Sequence, residues 1–228
     1  MDVRSGSAGS RHQLGYVQQV ATITDIQPQR RRQSRVSVFL DGEFWTGMPQ
    51  DVCALLHLKI GEEIDDQRKG EVEREVGESA ALESALHLLS YRARSEKDLR
   101  KRLLDKDFNE AVVDAAMARV KEYGYVNDSD YSREVIESHQ LTGKGRRTTL
   151  WKLRSDGVDP DEAQQLIEEA YPEENEVEVA LAWASRRRVD LSDIKGRQRL
   201  TRQLLGRGFN YDVIRDVISQ LREGADDD

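Results

Sequence analysis

The feature that most constrains the fold of this chain is an internal repeat with a period of about 50 residues. The segments LRKRLLDKDF (99–108), LWKLRSDGV (150–158) and LTRQLLGRGF (200–209) share one plan, in which a basic, leucine-bearing helix leads through a polar turn to an apolar residue. Matching leucines of the three copies lie 50 and 51 residues apart. Repeats of this period are typical of solenoid-like arrays, because each unit completes its core against its neighbours.

Each copy of the repeat predicts three helices. A helical pattern precedes each basic segment, and another follows it from a polar or acidic cap such as Asn109 or Asp159. From about residue 71 the chain therefore reads as mainly α-helical, with tandem three-helix repeats that form an elongated, curved array. The expected repeats span residues 71–124, 125–172 and 173–222. The third copy is looser, because it carries the extra residues VDLSDIKG between its first two helices.

The middle helix of the first copy shows how such a unit is specified. Ser95 with Asp98 resembles a capping box, in which a side-chain oxygen accepts a backbone N–H of the first turn. At 100° per residue, Leu99 and Leu103 fall on one face, whereas Lys97 falls nearly opposite. The helix is therefore expected to bury its leucines and to expose its lysines.

The first part of the chain, residues 15–70, has a β-like pattern instead. The segments YVQQVATITDI and RVSVFL read as strands, and Asp41-Gly42 predicts a two-residue hairpin turn before EFWTG. Pro49 then opens a short apolar helix, DVCALLHL, in which we expect a buried Cys53. This part is predicted to be a small β-hairpin and helix unit. The remaining residues, 1–14 and 223–228, are expected to form a disordered tail and an acidic tail.

Basic charge recurs on the three middle helices, although the formal net charge of the chain is −8. Acidic stretches lie between them, and residues 155–178 carry ten acids and no base. Lysine and arginine release counterions when they neutralise phosphates, so such clusters favour nucleic-acid binding. The candidate binding residues are Arg92, Arg94, Lys97, Arg100, Lys101, Arg102, Lys144, Arg146, Arg147, Lys152, Arg197, Arg199 and Arg202. The alternative is a merely solvated face with ion pairs four residues apart.

The aromatic residues of the helical part allow two interpretations. Trp151, Tyr91, Tyr123 and Tyr125 could stack on nucleic-acid bases. Aromatic residues within helices more often belong to the core, so we expect these four to be buried. Trp183, in the segment ALAWA, is predicted to be a core residue as well.

No arrangement of residues in the sequence predicts catalysis. His12, His57, His87 and His139 are scattered and lack the spacing of a zinc site. The Gly143-Lys144-Gly145 stretch departs from the phosphate-binding loop motif, since Ser138 stands where its first glycine should be. Because the sequence also lacks a long apolar run, we expect a cytoplasmic protein without membrane contact. We further expect a monomer that is not an enzyme and has no cofactor or metal.

Three segments in order resemble the RecX family of regulatory proteins. They are ALHLLSYRARSEKDLRKRLLDKDF, the joint YGYVNDSDYSREVIESH, and GKGRRTTLWKLRSDGV, and the resemblance extends over roughly residues 80–221. It implies a crescent of repeats that lies along the RecA recombinase filament on single-stranded DNA. It also implies inhibition of the recombinase ATPase and strand exchange. The acidic stretches beside the basic clusters separately predict weaker binding to free duplex DNA. The β-like part resembles an extension found in some members.

Two other functions stay open from the sequence alone. Short helix pairs with a turn could belong to a sequence-reading transcriptional regulator with helix-turn-helix-like units. Such a protein usually concentrates its base contacts in one recognition helix, whereas here the basic charge is spread over three similar helices. The overall acidity also leaves room for a scaffold that binds no nucleic acid.

Overall fold

The computed structural model describes residues 20–30, 32–187 and 191–226. The chain divides between Ser79 and Ala80 into two compact units, a first unit and a helical unit. The tail expected at residues 1–14, the start of the first predicted strand and the end of the acidic tail lie outside the described residues.

The first unit is built on an antiparallel sheet. Its strands are β1 (Ala21–Gln29), β2 (Arg32–Leu40), β3 (Glu43–Pro49) and β4 (Glu63–Ile64), in the order β3-β2-β1-β4. Helix α1 (Gln50–Leu55) follows β3. The turn between β2 and β3 has a φ of 49° at Asp41 and 87° at Gly42, as a tight hairpin of this type requires. Strand β4 was not predicted, because two residues are too few to show an alternating pattern.

The core of the first unit lies under the sheet. Ile23, Val38, Met48 and Ile64 are completely buried there. Cys53 is also buried, as expected, and burial raises the pKa of its thiol. This environment favours an inert thiol.

Helix α2 (Asp66–Tyr91) runs from the first unit into the helical unit. It begins five residues before the expected start at residue 71, because the Asp65 carboxylate accepts the backbone N–H of Arg68 at 2.8 Å and starts the helix there. Val72 belongs to the core of the first unit, whereas Ala81 and Ala85 belong to the first core of the helical unit. None of the helices in the described residues is long and apolar enough to cross a membrane.

The helical unit repeats one three-helix arrangement, which confirms the predicted fold class. Helix α2 is followed by α3 (Glu96–Leu104), α4 (Glu110–Glu122), α5 (Asp128–Leu141), α6 (Arg146–Ser155), α7 (Pro160–Ala170), α8 (Glu173–Ser185), α9 (Ile194–Gly206) and α10 (Tyr211–Asp226). The middle helices α3, α6 and α9 bury the same two positions. Exposure is at most 1% at Leu99, Thr149 and Leu200, and it is zero at Leu103, Leu153 and Leu204.

The turn that follows each middle helix is also repeated. Its φ angle is positive at Asp107, Gly157 and Gly208. Two residues later a side-chain oxygen accepts a backbone N–H and starts the third helix, at Asn109, Asp159 and Asn210. The predicted caps therefore form in every copy. The exact boundaries of the three repeats stay a prediction.

Consecutive repeats join through equivalent contacts. At the first junction, the Ser95 hydroxyl at the start of α3 donates to the carbonyl oxygen of Asp156, at the end of α6, at 2.7 Å. At the second junction, the backbone N–H of Gly145 at the start of α6 donates to the carbonyl oxygen of Arg207, at the end of α9, at 2.8 Å. The start of one middle helix thus contacts the end of the next, and the three middle helices follow one another in a row.

Candidate nucleic-acid interface on the middle helices

Part of the predicted basic cluster on α3 is engaged by Asp98. This carboxylate lies 2.8 Å from the Arg94 guanidinium, 2.9 Å from that of Arg102 and 3.9 Å from that of Arg92. Burial opposes ionisation of Asp98, but hydrogen bonds from Arg102 and Arg94 outweigh it and lower its pKa. Ser95 accepts the Asp98 backbone N–H as predicted, but the Asp98 side chain turns to these arginines and does not complete a capping box.

Arg94 is the one candidate residue that the fold buries. It is 8% exposed, and its Nε–H donates to the carbonyl oxygen of Leu88 at 3.1 Å. An arginine paired inside the protein in this way stabilises the end of α2 against α3. Arg94 is therefore a structural residue and is not accessible to a partner.

Further candidates pair with acids that the chain brings close. Arg100 pairs with Asp114 on α4, and Lys152 pairs with Asp156 at the end of its own helix. Arg197 donates to the carbonyl oxygens of Leu191 and Ser192 at 2.9 and 3.1 Å. Arg100 and Lys152 therefore resemble the ion-paired helix face of the alternative interpretation, whereas Arg197 is held by backbone carbonyls.

Arg146 holds the second repeat to the third. Its guanidinium lies 3.0 Å from the Glu173 carboxylate, and its backbone N–H donates to Glu176 Oε1 at 2.9 Å. Gly145 has no side chain to cap α6, so the Glu176 carboxylate from α8 caps this helix instead. Glu176 is only 3% exposed, and burial raises its pKa. Arg146 thus acts mainly as a junction residue.

Lys144 is positioned by a short chain of hydrogen bonds. The Thr149 hydroxyl donates to the carbonyl oxygen of Gly145 at 3.0 Å, so its oxygen accepts a hydrogen bond from the Nδ1–H of His139, also at 3.0 Å. Nε2 of His139 then accepts from the Lys144 ammonium at 3.1 Å. Burial, with the nearby charges of Lys144 and Lys152, lowers the pKa of His139 to about 4. The imidazole is therefore neutral at pH 7 and orders Lys144.

The remaining candidates are exposed cations. None of them forms an ion pair with a carboxylate that the structure describes. They are Lys97 and Lys101 on α3, Arg147 on α6, and Arg199 and Arg202 on α9. Arg154 on α6 shares these properties, although it was not among the candidates. We call these six residues the basic row. Arg147 donates to the carbonyl oxygen of Leu205 at 3.1 Å, and Arg202 to that of Gln198 at 3.4 Å.

The four aromatic side chains that were expected to be buried are exposed, so the expectation that they belong to the core was wrong. Exposure is 69% for Trp151, 72% for Tyr91, 60% for Tyr123 and 59% for Tyr125. The reason at Trp151 is geometric: it lies two residues from both Thr149 and Leu153, about 200° around the helix from each buried side chain. Trp183 is buried as predicted, with the guanidinium groups of Arg187 and Arg207 over its ring at 3.6 and 4.2 Å.

Three family models match the chain. They are described as the regulatory protein RecX N-terminal domain (residues 21–65), the RecX first three-helix domain (81–119) and the RecX third three-helix domain (173–218). Together they cover more than half of the chain, and the first of them includes the sheet of the first unit.

Curated relatives carry the same family name, and solved structures share the fold. The chain is 29% identical over 210 residues to the regulatory protein RecX of Bacillus velezensis, covering 90% of this chain and 80% of the relative. It is 29% identical over 212 residues to that of Bacillus subtilis, covering 90% and 79%. A crystal structure of a regulatory protein RecX matches with a TM-score of 0.65 at 23% identity, over 86% of this chain and 98% of that one. The structure of RecX from Lactobacillus salivarius matches with a TM-score of 0.56 at 23% identity, over 64% and 97%.

Proposed function

The chain belongs to the RecX family of regulatory proteins, and from this premise we propose that it binds the RecA recombinase filament on single-stranded DNA. Binding restrains the ATPase and strand-exchange activities of the filament. The protein acts by stoichiometric contact, as a cytoplasmic monomer without turnover of its own, and its binding to free duplex DNA is weaker.

The observation that carries this proposal is the basic row. Its cations occupy the solvent-facing side of α3, α6 and α9, which bury equivalent leucines and join end to end by equivalent contacts. Exposed cations on each of three helices that follow one another suit a polymer with repeated phosphates. A small anionic ligand would instead need convergent donors in one pocket.

Acidic stretches beside the basic row favour a composite partner. Helices α7 and α8 carry exposed acids close to α6 in the sequence, including Glu168, Glu169 and Glu174. Such acids repel a bare duplex and can face basic groups of a partner protein, which supports a filament of protein and DNA over free DNA.

The direct test is a titration of the purified chain into the cognate RecA on single-stranded DNA, with ATP hydrolysis as the readout. We expect hydrolysis to fall with increasing chain and to reach a plateau. Binding to a duplex of the same length, measured at physiological salt, should be markedly weaker than binding to the filament. Unchanged hydrolysis at a saturating concentration would reject the proposal, and tight binding to one particular duplex sequence would favour a transcriptional regulator.

A further inference from the structure

Trp151 breaks the pattern of the repeat at a solvent-facing position. In register with Leu103, Leu153 and Leu204, it corresponds to Lys101 in the first repeat and Arg202 in the third. All three positions are exposed, and the Trp151 side chain is 69% exposed. The middle repeat therefore presents an indole ring where its neighbours present a cation.

The fold itself does not use this ring. The core of the second repeat contains Leu153, Ile167 and Tyr171, and Trp151 is not part of that cluster. Burying an aromatic side chain contributes substantially to stability, which this chain forgoes at Trp151. A large exposed apolar ring on the outer face of a helix is suited to a contact outside the protein.

Cations lie on both sides of the ring. Arg147 comes one turn before Trp151 on α6 and Arg154 about one turn after it, and both side chains are exposed. The two arginines are about 10 Å apart along the helix axis. Neither forms an ion pair with a carboxylate that the structure describes. An aromatic platform between two cations fits a ligand that has a flat apolar group between negative charges.

We propose that Trp151 stacks on an unpaired base of single-stranded DNA, while Arg147 and Arg154 neutralise phosphates on either side of that base. Single strands combine these two features, and stacking on an aromatic ring accepts any base. A duplex keeps its bases stacked inside, and an apolar protein partner would not need the flanking charges. This proposal rests on the proposed function, because it says which parts of the single-stranded DNA, a base and its neighbouring phosphates, contact α6.

The test measures binding of the full chain to an oligo(dT) single strand without RecA. We expect Trp151→Ala to weaken this affinity by about 5- to 100-fold and Trp151→Phe to keep most of it, because phenylalanine still stacks. Tyr211→Ala is the matched control, since Tyr211 is 70% exposed on α10 and the arginine one turn after it, Arg215, is paired with Asp212 and Asp216. It should bind like the parent. Trp151 is largely exposed, so Trp151→Ala should keep the parent circular dichroism spectrum.

The fluorescence of the chain gives a second readout. Oligo(dT) should quench tryptophan emission of the parent, and this quenching should be mostly lost in Trp151→Phe, where Trp45 and Trp183 still emit. The stacking proposal is overturned if Trp151→Ala binds oligo(dT) as tightly as the parent, or if it loses affinity only for RecA protein. If the parent chain binds oligo(dT) through Trp151 but does not inhibit ATP hydrolysis by RecA, the proposed function is rejected and the stacking proposal stands.

Discussion

Replacing Lys97 and Lys101 together by glutamate is expected to raise the chain concentration that halves RecA ATP hydrolysis by about tenfold or more. Both side chains are exposed on α3 and neither pairs with a described carboxylate, so the change removes two phosphate contacts and adds repulsion without breaking an ion pair. Arg154→Glu is expected to act in the same direction on α6. Arg147 is left unchanged, because its guanidinium donates to the carbonyl oxygen of Leu205 in the third repeat at 3.1 Å. The measurement is the chain concentration that halves ATP hydrolysis, over a range of salt concentrations, and the salt dependence should become shallower by about one power per lost contact.

The matched control is Lys59→Glu with Arg222→Glu, which changes the net charge by the same amount at exposed positions outside the middle helices. This variant should inhibit nearly as well as the parent. Arg146 is unsuitable for such a series, since its ion pair with Glu173 joins two repeats. Equal inhibition by the parent and both middle-helix variants would show that the basic row is only a solvated face.

Gly208→Ala is expected to lower the free energy of unfolding by about 2–4 kcal/mol. An added Cβ would lie 2.3 Å from the Thr148 hydroxyl oxygen and 2.6 Å from its backbone nitrogen, so it would push the third repeat away from the second. The φ of 91° at Gly208 adds backbone strain for any other residue. Urea denaturation followed by circular dichroism measures the effect.

Two other glycines separate these causes. Gly124→Ala has the backbone strain alone, because φ is 71° and no atom lies within 4 Å of an added Cβ, and it should cost about 1 kcal/mol. Gly145→Ala has the close contact alone, at 2.5 Å from the backbone of Gly208, with an ordinary φ of −76°. If Gly208→Ala cost no more than Gly124→Ala, the close junction between the repeats would be disproved.

The sequence predicted the helical repeats because their signals are local. Leucine spacing, capping residues such as Asn109 and Asp159, and the turn after each middle helix all act within a few residues. The two-residue strand β4 and the early start of α2 at Asp66 were missed. A strand of two residues is too short to show an alternating pattern. At α2, the cap at Asp65 favours a helix start, but Gly70 five residues later disfavours a helix, so the pattern around residue 66 is ambiguous.

The candidate site was predicted less well, because exposure depends on long-range contacts. Arg146 is joined to Glu173 and Glu176 from a helix about 30 residues away, which no local pattern shows. Trp151 is different, since a signal for it was present. When the repeats are aligned, Trp151 takes the same position as Lys101 and Arg202. A position that is charged in two copies is expected to face solvent in the third.

The most direct test of the basic row as the filament contact is lysine footprinting by mass spectrometry. The acetylation rates of Lys97 and Lys101 are compared with that of Lys59, an exposed lysine of the first unit, in the free chain and with the RecA filament on single-stranded DNA. We expect the filament to slow acetylation of Lys97 and Lys101 several-fold and to leave that of Lys59 unchanged. Unchanged rates at Lys97 and Lys101 in the bound chain, with protection elsewhere, would contradict it.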